Sequence, residues 1–261
     1  MSISVITPTF NTDRKILART WASLKNQSMA DWEWVIWDDS TNDDVWNQVY
    51  GFCADERFVI QAHRSHTHSG NIGRLKRQLG MVAVGDIIVE LDHDDELTPD
   101  CLAEISKAFE DPEVGFVYSD WCELLSNGES GVYPNGWAFG YGSEYWSSEH
   151  KVWVMSAPEL NSTTMGHIVS APNHVRAWRA SVYRALNGHN PALPVADDYE
   201  LVVRTFLATK CVHIPRLLYK QHIGPTTTQR TKNNLIQEIV AHVSSAYQDQ
   251  INERCAQLGL S

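Results

Sequence analysis

At 261 residues, with 43% hydrophobic and 20% charged residues, the chain can bury the core of one large domain. Its formal net charge of −11 excludes electrostatic capture of nucleic acid or of an anionic membrane surface. The cysteines are scattered without a C-x-x-C pair, no leader opens MSISVITPTF, and no window holds the ~18 apolar residues that span a bilayer; a reduced, cytoplasmic protein with no transmembrane segment is expected.

Residues 4–7 read as a first buried strand, stopped by Pro8. Asn11-Thr12-Asp13 offers capping side chains to a helix in which Ile16, Leu17, Thr20, Trp21 and Leu24 recur at helical spacing. The run WEWVIW, 32–37, is a second strand that leads into Asp38-Asp39-Ser40. A helix from about Asp44 and a third strand over 58–62 follow. Gly70-Asn71-Ile72-Gly73 opens another helix carrying Arg74, Lys76 and Arg77. The organising stretch is DIIVELDHDDEL, 86–97: a strand interrupted only by Glu90 that runs into Asp92, Asp94 and Asp95. A helix over 99–109, with Asp95 as its acidic cap, and a strand over 114–118 complete the first half. Strands alternating with helices predict a mostly parallel sheet in a doubly wound α/β domain.

The pattern changes beyond Ser119. Residues 121–153 carry Trp121, Tyr133, Trp137, Phe139, Tyr141, Tyr145, Trp146 and Trp153 without a clear period. Such rings either stack on sugar faces or fill a core. A helical stretch over 175–186 precedes Asp197-Asp198-Tyr199-Glu200, which opens a further helix. Short strands are expected over 211–214 and 217–222, the second leading into Gly224-Pro225. Ile236, Val240, Val243, Tyr247, Ile251, Cys255 and Leu258 make 233–258 an amphipathic helix that docks on its own domain or forms a homodimer contact.

Clustered acids at the carboxyl end of a buried strand sit where open α/β sheets bind ligands. Asp92-x-Asp94 is therefore either a solvated turn or a set of hard oxygen ligands for Mg²⁺ or Mn²⁺. Asp38-Asp39 falls on the same sheet edge, where a carboxylate can accept hydrogen bonds from a base or ribose. Taken alone, Asp38-Asp39-Ser40 and Asp197-Asp198 are ordinary turn and helix-start residues.

Taken together and in order, the segments SVITPTFNT, WVIWDDSTND, NIGRLKRQLGMVAVGDIIVELDHDDELTP, VADDYELVVR and LLYKQHIGPTTTQR resemble family 2 glycosyltransferases, inverting enzymes of the GT-A fold. The resemblance covers about 4 to 230 and implies a Rossmann-like, mostly parallel central sheet flanked by helices, within a single domain. Residues 1–120 would be the nucleotide-sugar-binding half, 121–225 an elaborated acceptor-binding and catalytic half, and 226–261 the C-terminal amphipathic helix. It further implies that Pro8, Thr9, Phe10, Asn11 and Asp39 line the base and ribose pocket, with Asp38 as a neighbour and Lys76 near the nucleotide. Asp92 would lie by the ribose and the metal, Asp94 would coordinate Mn²⁺ or Mg²⁺ on the diphosphate, and His222 would be a further metal or diphosphate contact. Asp198 would be the general base; Asp197 beside it, and partial burial, would raise the proton affinity of the pair. The implied partners are a nucleotide-sugar donor, UDP-sugar favoured, and a glycan, lipid-linked or other hydroxyl acceptor. Lys76-Arg77 and Asp197 depart from the family's commoner Arg-Asn and Glu. Rival readings are a haloacid-dehalogenase-type phosphohydrolase, with Asp92 as nucleophile and Asp94 as acid, and a non-catalytic carbohydrate-binding protein. A nicotinamide dehydrogenase is disfavoured because no G-x-G-x-x-G follows a strand.

Overall fold

Apolar runs without alternation become strands covered on both faces, and the first of them sets the pattern. In the computed structural model β1 (Ile3–Thr9) is buried throughout. The structure describes all residues except 56, 66, 69, 134–135, 169–171, 225–227 and 261, and omits the side chains of 139, 167 and 228–230; Phe139 and Pro225 therefore lie outside the described set. The chain continues through α1 (Arg14–Lys25), β2 (Trp32–Asp38), α2 (Asp44–Cys53), β3 (Val59–Arg64), α3 (Ile72–Val82), β4 (Ile87–Glu90), β5 (Glu96–Leu97), α4 (Cys101–Ala108) and β6 (Val114–Leu125). The second half adds β7 (Ser143–Ser147), β8 (Val152–Ser156), α5 (Ser162–His167), β9 (Arg176–Arg179), α6 (Ala180–Ala185), α7 (Asp197–Ala208), β10 (Lys210–Ile223) and α8 (Thr228–Leu258).

One sheet runs through both halves in the order β3-β2-β1-β4-β9-β6-β10-β5. β1, β2, β3 and β4 pair in parallel, as do β6 and β10, whereas β9 is antiparallel to both its neighbours. Pro8 does not stop β1: it pairs with Trp37 on β2. Pairing with β4 ends at Ile6 and Glu90, so no ladder bond on that side calls for the missing proline N–H. Local capping follows the expected chemistry, with Asp13 accepting from Lys15 N at 2.7 Å and Asn71 from Arg74 N at 2.8 Å. Trp21 stacks on Trp34 at 5.3 Å between centroids and joins Trp32, Phe52 and Phe58 in the core under the first half. Burial of each such ring contributes up to about 3 kcal/mol.

Three expectations are corrected. Residues 175–186 are not one helix but the central strand β9 followed by the short helix α6; VRAW is buried between β4 and β6, and burial rather than helical period decides its state. The aromatic segment, read without a period, holds regular strands among its described residues: β6 extends to Leu125 and β7 pairs with β8 as a hairpin. Trp121 and Trp137 meet edge to face at 4.4 Å inside the core, while Tyr141, Trp146 and Trp153 are exposed. The two short strands after Cys211 are the single strand β10, irregular in register between Ile214 and Leu217, where Pro215 lacks a ladder donor. α8 docks Ile236, Val240, Val243, Ile251 and Cys255 into the main core. Among the described residues no helix is long and apolar enough to cross a membrane.

Candidate active site

The carboxyl ends of β1 and β2 lie side by side, pairing Thr9 with Asp38. Asp38 is buried and accepts from Ser40 N at 3.0 Å and Thr9 Oγ1 at 3.3 Å. Asp39 is also buried, and its carboxylate accepts from Ser65 Oγ, from His68 N at 3.0 Å and from Gly70 N at 3.4 Å. Asn11, in the left-handed region at φ 49°, donates its N–H to Ser40 Oγ at 2.8 Å, and Phe10 beside it is 41% exposed. Pro8, Thr9, Phe10, Asn11, Asp38 and Asp39 thus form one rim with an exposed aromatic face and buried acceptors.

β4 supplies the next layer. Alternate strand residues share a face, so Glu90 and Asp92 point the same way from the strand and its extension. Glu90 is 0% exposed, and a buried charge persists only when paired. Its Oε2 lies 3.0 Å from Arg176 Nε and 3.6 Å from Lys76 Nζ, and its Oε1 lies 2.6 Å from His189 Nε2. Lys76 also reaches Asp92 Oδ1 at 3.1 Å, while His174 Nε2 stands 3.5 Å from Asp92 Oδ2. Arg176 NH1 donates to Asp198 Oδ2 at 2.8 Å. One polar network therefore joins the D-x-D end of β4 to the start of α7.

The helix start is built by close packing. Ala196 takes a left-handed conformation, φ 55°, before Asp197, and a Cβ on Gly73 would stand 2.9 Å from the Asp197 side chain. Only glycine lets α3 approach here. Glu200 turns away and pairs with Arg204 at 2.6 Å.

Burial alone would protonate the acids of this network, and the cations reverse that for some of them. The Lys76 ammonium and His174 hold Asp92 well below the usual carboxylate range despite burial. Arg176, followed by Lys76, lowers Asp198 against its burial. Asp197 has only His189 at 3.9 Å and the more distant Lys76 against it, and burial pushes it up to about 6, so the neighbour expected to tune Asp198 is itself the acid with raised proton affinity. His174, stacked on Tyr219 at 4.6 Å, is pulled by burial and by Arg176 down to about 4.

Asp94 is half-buried, and its carboxylate makes no hydrogen bond or ion pair among the described residues, although its carbonyl accepts from Arg19 NH2. Asp95 is no helix cap: it is buried, 2.7 Å from Tyr219 Oη and 2.7 Å from His222 N, and its burial and the charges of Asp94 and Asp92 raise its proton affinity. His222 already holds Glu96 Oε1 at 2.7 Å through Nε2. Among the described residues no group of three His, Cys, Asp or Glu side chains forms a metal cage. Asp94 with Asp92 nonetheless fits a hard cation of the kind held by one or two carboxylates and completed by phosphate oxygens and water.

Glu90, Arg176, His174 and His189 are the site residues that sequence reasoning missed. The signal for Glu90 was present, since a lone acid in an otherwise apolar strand must find buried cations. Arg176 was hidden by the helical reading of β9, and nothing in the spacing pointed to either histidine.

A family model described as glycosyl transferase family 2 matches residues 4–165. The chain is 30% identical over 228 residues to the uncharacterized protein y4gI of Sinorhizobium fredii, covering 85% of this chain and 22% of that protein. It is 29% identical over 227 residues to the O-antigen biosynthesis protein RfbC of Myxococcus xanthus, covering 85% and 16%. With the chondroitin synthase of Escherichia coli it shares 24% over 265 residues, covering 99% and 33%. The chain thus spans a third or less of the length of these curated relatives. In fold it is similar to S. aureus TarS 1–349 in complex with UDP-GlcNAc, with TM-score 0.69, 17% identity, and 97% of this chain and 70% of that one covered. It is also similar to the mannosyltransferase PcManGT of Pyrobaculum calidifontis in complex with GDP-Man and Mn²⁺, with TM-score 0.63, 14% identity, and 98% and 74% covered. A family model that takes in most of the chain, and a sheet shared with these structures, give one conclusion: the chain belongs to glycosyl transferase family 2 and has the GT-A fold.

Proposed function

We propose that the chain is a metal-dependent, inverting glycosyltransferase that moves a sugar from a nucleotide-diphospho-sugar, a UDP-sugar in first place, to a hydroxyl of a glycan, lipid-linked or other acceptor. The observation that carries this reading is the buried network that ties Asp92 to Asp198 through Lys76, Glu90 and Arg176. On this reading the network would link a donor-side carboxylate to an acceptor-side carboxylate. The family match supports the reaction class, and the UDP-GlcNAc and Mn²⁺ in the structures of similar fold support the donor and cofactor.

In this reading Pro8 to Asn11 with Asp38 and Asp39 hold the base and ribose, and Asp92 sits by the ribose with Lys76 fixing its carboxylate. Asp94 and Asp92 would hold Mn²⁺ or Mg²⁺, and His222 would join them on release from Glu96. When bound, that cation supplies Lewis-acid neutralisation of the diphosphate charge. Asp198, ionised and one-third exposed at 34%, accepts the proton of the acceptor hydroxyl as its oxygen attacks the anomeric carbon. Single displacement needs no carboxylate nucleophile. Residues 1–120 serve the donor and 121–225 the acceptor. A phosphohydrolase gives no role to Asp198, and a bare carbohydrate-binding protein gives none to the buried acids, so neither rival is retained.

The test is a thermal-shift panel of nucleotides and nucleotide-sugars with and without Mn²⁺. Stabilisation by a nucleoside diphosphate that requires the cation is expected. Equal shifts with and without Mn²⁺ would remove the metal from the reading, and no shift with any nucleotide would remove the donor.

A further inference from the structure

The geometry assigns Glu90 and Arg176 a joint role, in which Glu90 is the fixed counter-charge that keeps Arg176 seated on Asp198 while that acid changes from carboxylate to carboxylic acid. The assignment rests on Asp198 as the base. Transfer forms a bond between the acceptor oxygen and the anomeric carbon and breaks the bond from that carbon to the diphosphate. The bond's electron pair leaves with the diphosphate, and the acceptor proton arrives on Asp198.

Arg176 is buried at 2% exposure, and its guanidinium has one arm for each neighbour. NH1 is 2.8 Å from Asp198 Oδ2, Nε is 3.0 Å from Glu90 Oε2, and NH2 is 2.8 Å from His174 Nε2. Once Asp198 is neutral, an arginine held by that residue alone would be an uncompensated buried cation, a costly state. Glu90 removes the difficulty because it lies on a different strand, has no exposed surface and takes no part in the bond changes. Lys76 and His189 also touch Glu90, so the carboxylate is crowded by donors and has no freedom to swing away. Both residues are positioning residues, acting through Asp198 without touching the reacting atoms.

Asn at 198 imitates the protonated base, which turns the claim into a double-mutant cycle readable without substrate. D198N should shift the melting temperature by no more than about 2 °C, because Glu90 still pairs Arg176. E90Q should lower it by several degrees. D198N/E90Q together should lose clearly more than the two separate changes combined, since Arg176 then keeps neither of the carboxylates it hydrogen-bonds and only the charge of Asp92 still acts on it. Additive losses, or a double variant as stable as E90Q, would overturn the assignment. If E90Q does not fold, the same cycle is run in a K76Q background, where E90Q removes the negative charge from a site already lacking one positive charge, and gives the same contrast. As a kinetic check, UDP release from UDP-GlcNAc with Mn²⁺ should show kcat down about tenfold or more in E90Q with KM within about threefold. A loss confined to KM counts against positioning of the base. Retained turnover in D198N would instead sink the base reading, whatever the cycle shows.

Discussion

The two halves of the molecule reach the same polar network by different routes. In the first half the candidate residues other than Lys76, which lies on α3, follow their own strands: Pro8 to Asn11 close β1, Asp38 and Asp39 close β2, and Asp92 and Asp94 follow β4. Parallel pairing of β1 with β2 and β4 then aligns those ends automatically. In the second half the key groups come from β9, which runs antiparallel to both neighbours, and from the start of α7. Here the site is assembled by ion pairs across long sequence separations, such as Glu90 with Arg176 and Arg176 with Asp198. Topology places the candidate residues of the first half, and buried charge places those of the second; on the proposed function these would serve donor and acceptor respectively. Substitutions should therefore act differently in each: binding in the first, turnover in the second.

The largest effect is expected at α7. Asp198→Asn should keep nucleotide and metal binding and reduce transfer by roughly 10²- to 10⁴-fold, the scale of a lost general base. Asp197→Asn should cost much less, because Asp197 is buried against α3 and His189. Single-turnover kinetics on both variants break the comparison if the losses are equal or absent.

On the donor side the largest effect belongs to Asp94. Asp94→Asn should abolish the Mn²⁺-dependent part of UDP stabilisation, roughly 2.7 kcal/mol when ligand stands at a hundred times its dissociation constant. A full metal-dependent shift in the variant would free Asp94 from the metal. Asp39→Ala should weaken UDP by about 1 to 3 kcal/mol, the cost of an unsatisfied buried partner. Calorimetry should show it, and unchanged affinity would leave Asp39 only as the anchor of the loop that follows β3.

How much of this was legible in the sequence follows from the same contrast. Parallel βα units repeat a local grammar of apolar run, turn acid and capped helix, so the donor half could be read almost element by element. Even there Asp95 was misread, because its role depends on Tyr219 and His222 from a strand more than a hundred residues away. In the acceptor half VRAW has no period that separates a short buried strand from a helix, and only its neighbours decide. The indoles of the β7–β8 hairpin are equally ambiguous in sequence, since only the cross-strand pairing of Trp146 with Trp153 fixes their state. Asp198 was legible as a residue but not in its tuning, since Arg176 stood inside a segment assigned the wrong state.

A smaller effect concerns acid stability. His174 in the folded chain titrates near 4, below the ordinary histidine value of 6.5, so the unfolded chain binds more protons between them. Its contribution to stability is present above pH 6.5 and is lost as pH falls toward 4. Asp197, raised from 3.8 to about 6, acts oppositely: the folded chain binds more protons there, and stability falls as pH rises through that window. Denaturant melts from pH 4 to 7 should show a shallower acid loss in His174→Gln and a steeper one in Asp197→Asn; unchanged slopes would mean that neither group titrates as its surroundings dictate.

The central claim is single displacement with a carboxylate base, and the anomeric configuration of the first product tests it most directly. With the donor selected by the thermal-shift panel, Mn²⁺ present and water or a simple alcohol as acceptor, proton NMR can follow the new anomeric signal before mutarotation. An α-linked nucleotide-sugar should yield the β product first, in the native chain and not in D198N. First appearance of the α product would contradict the account.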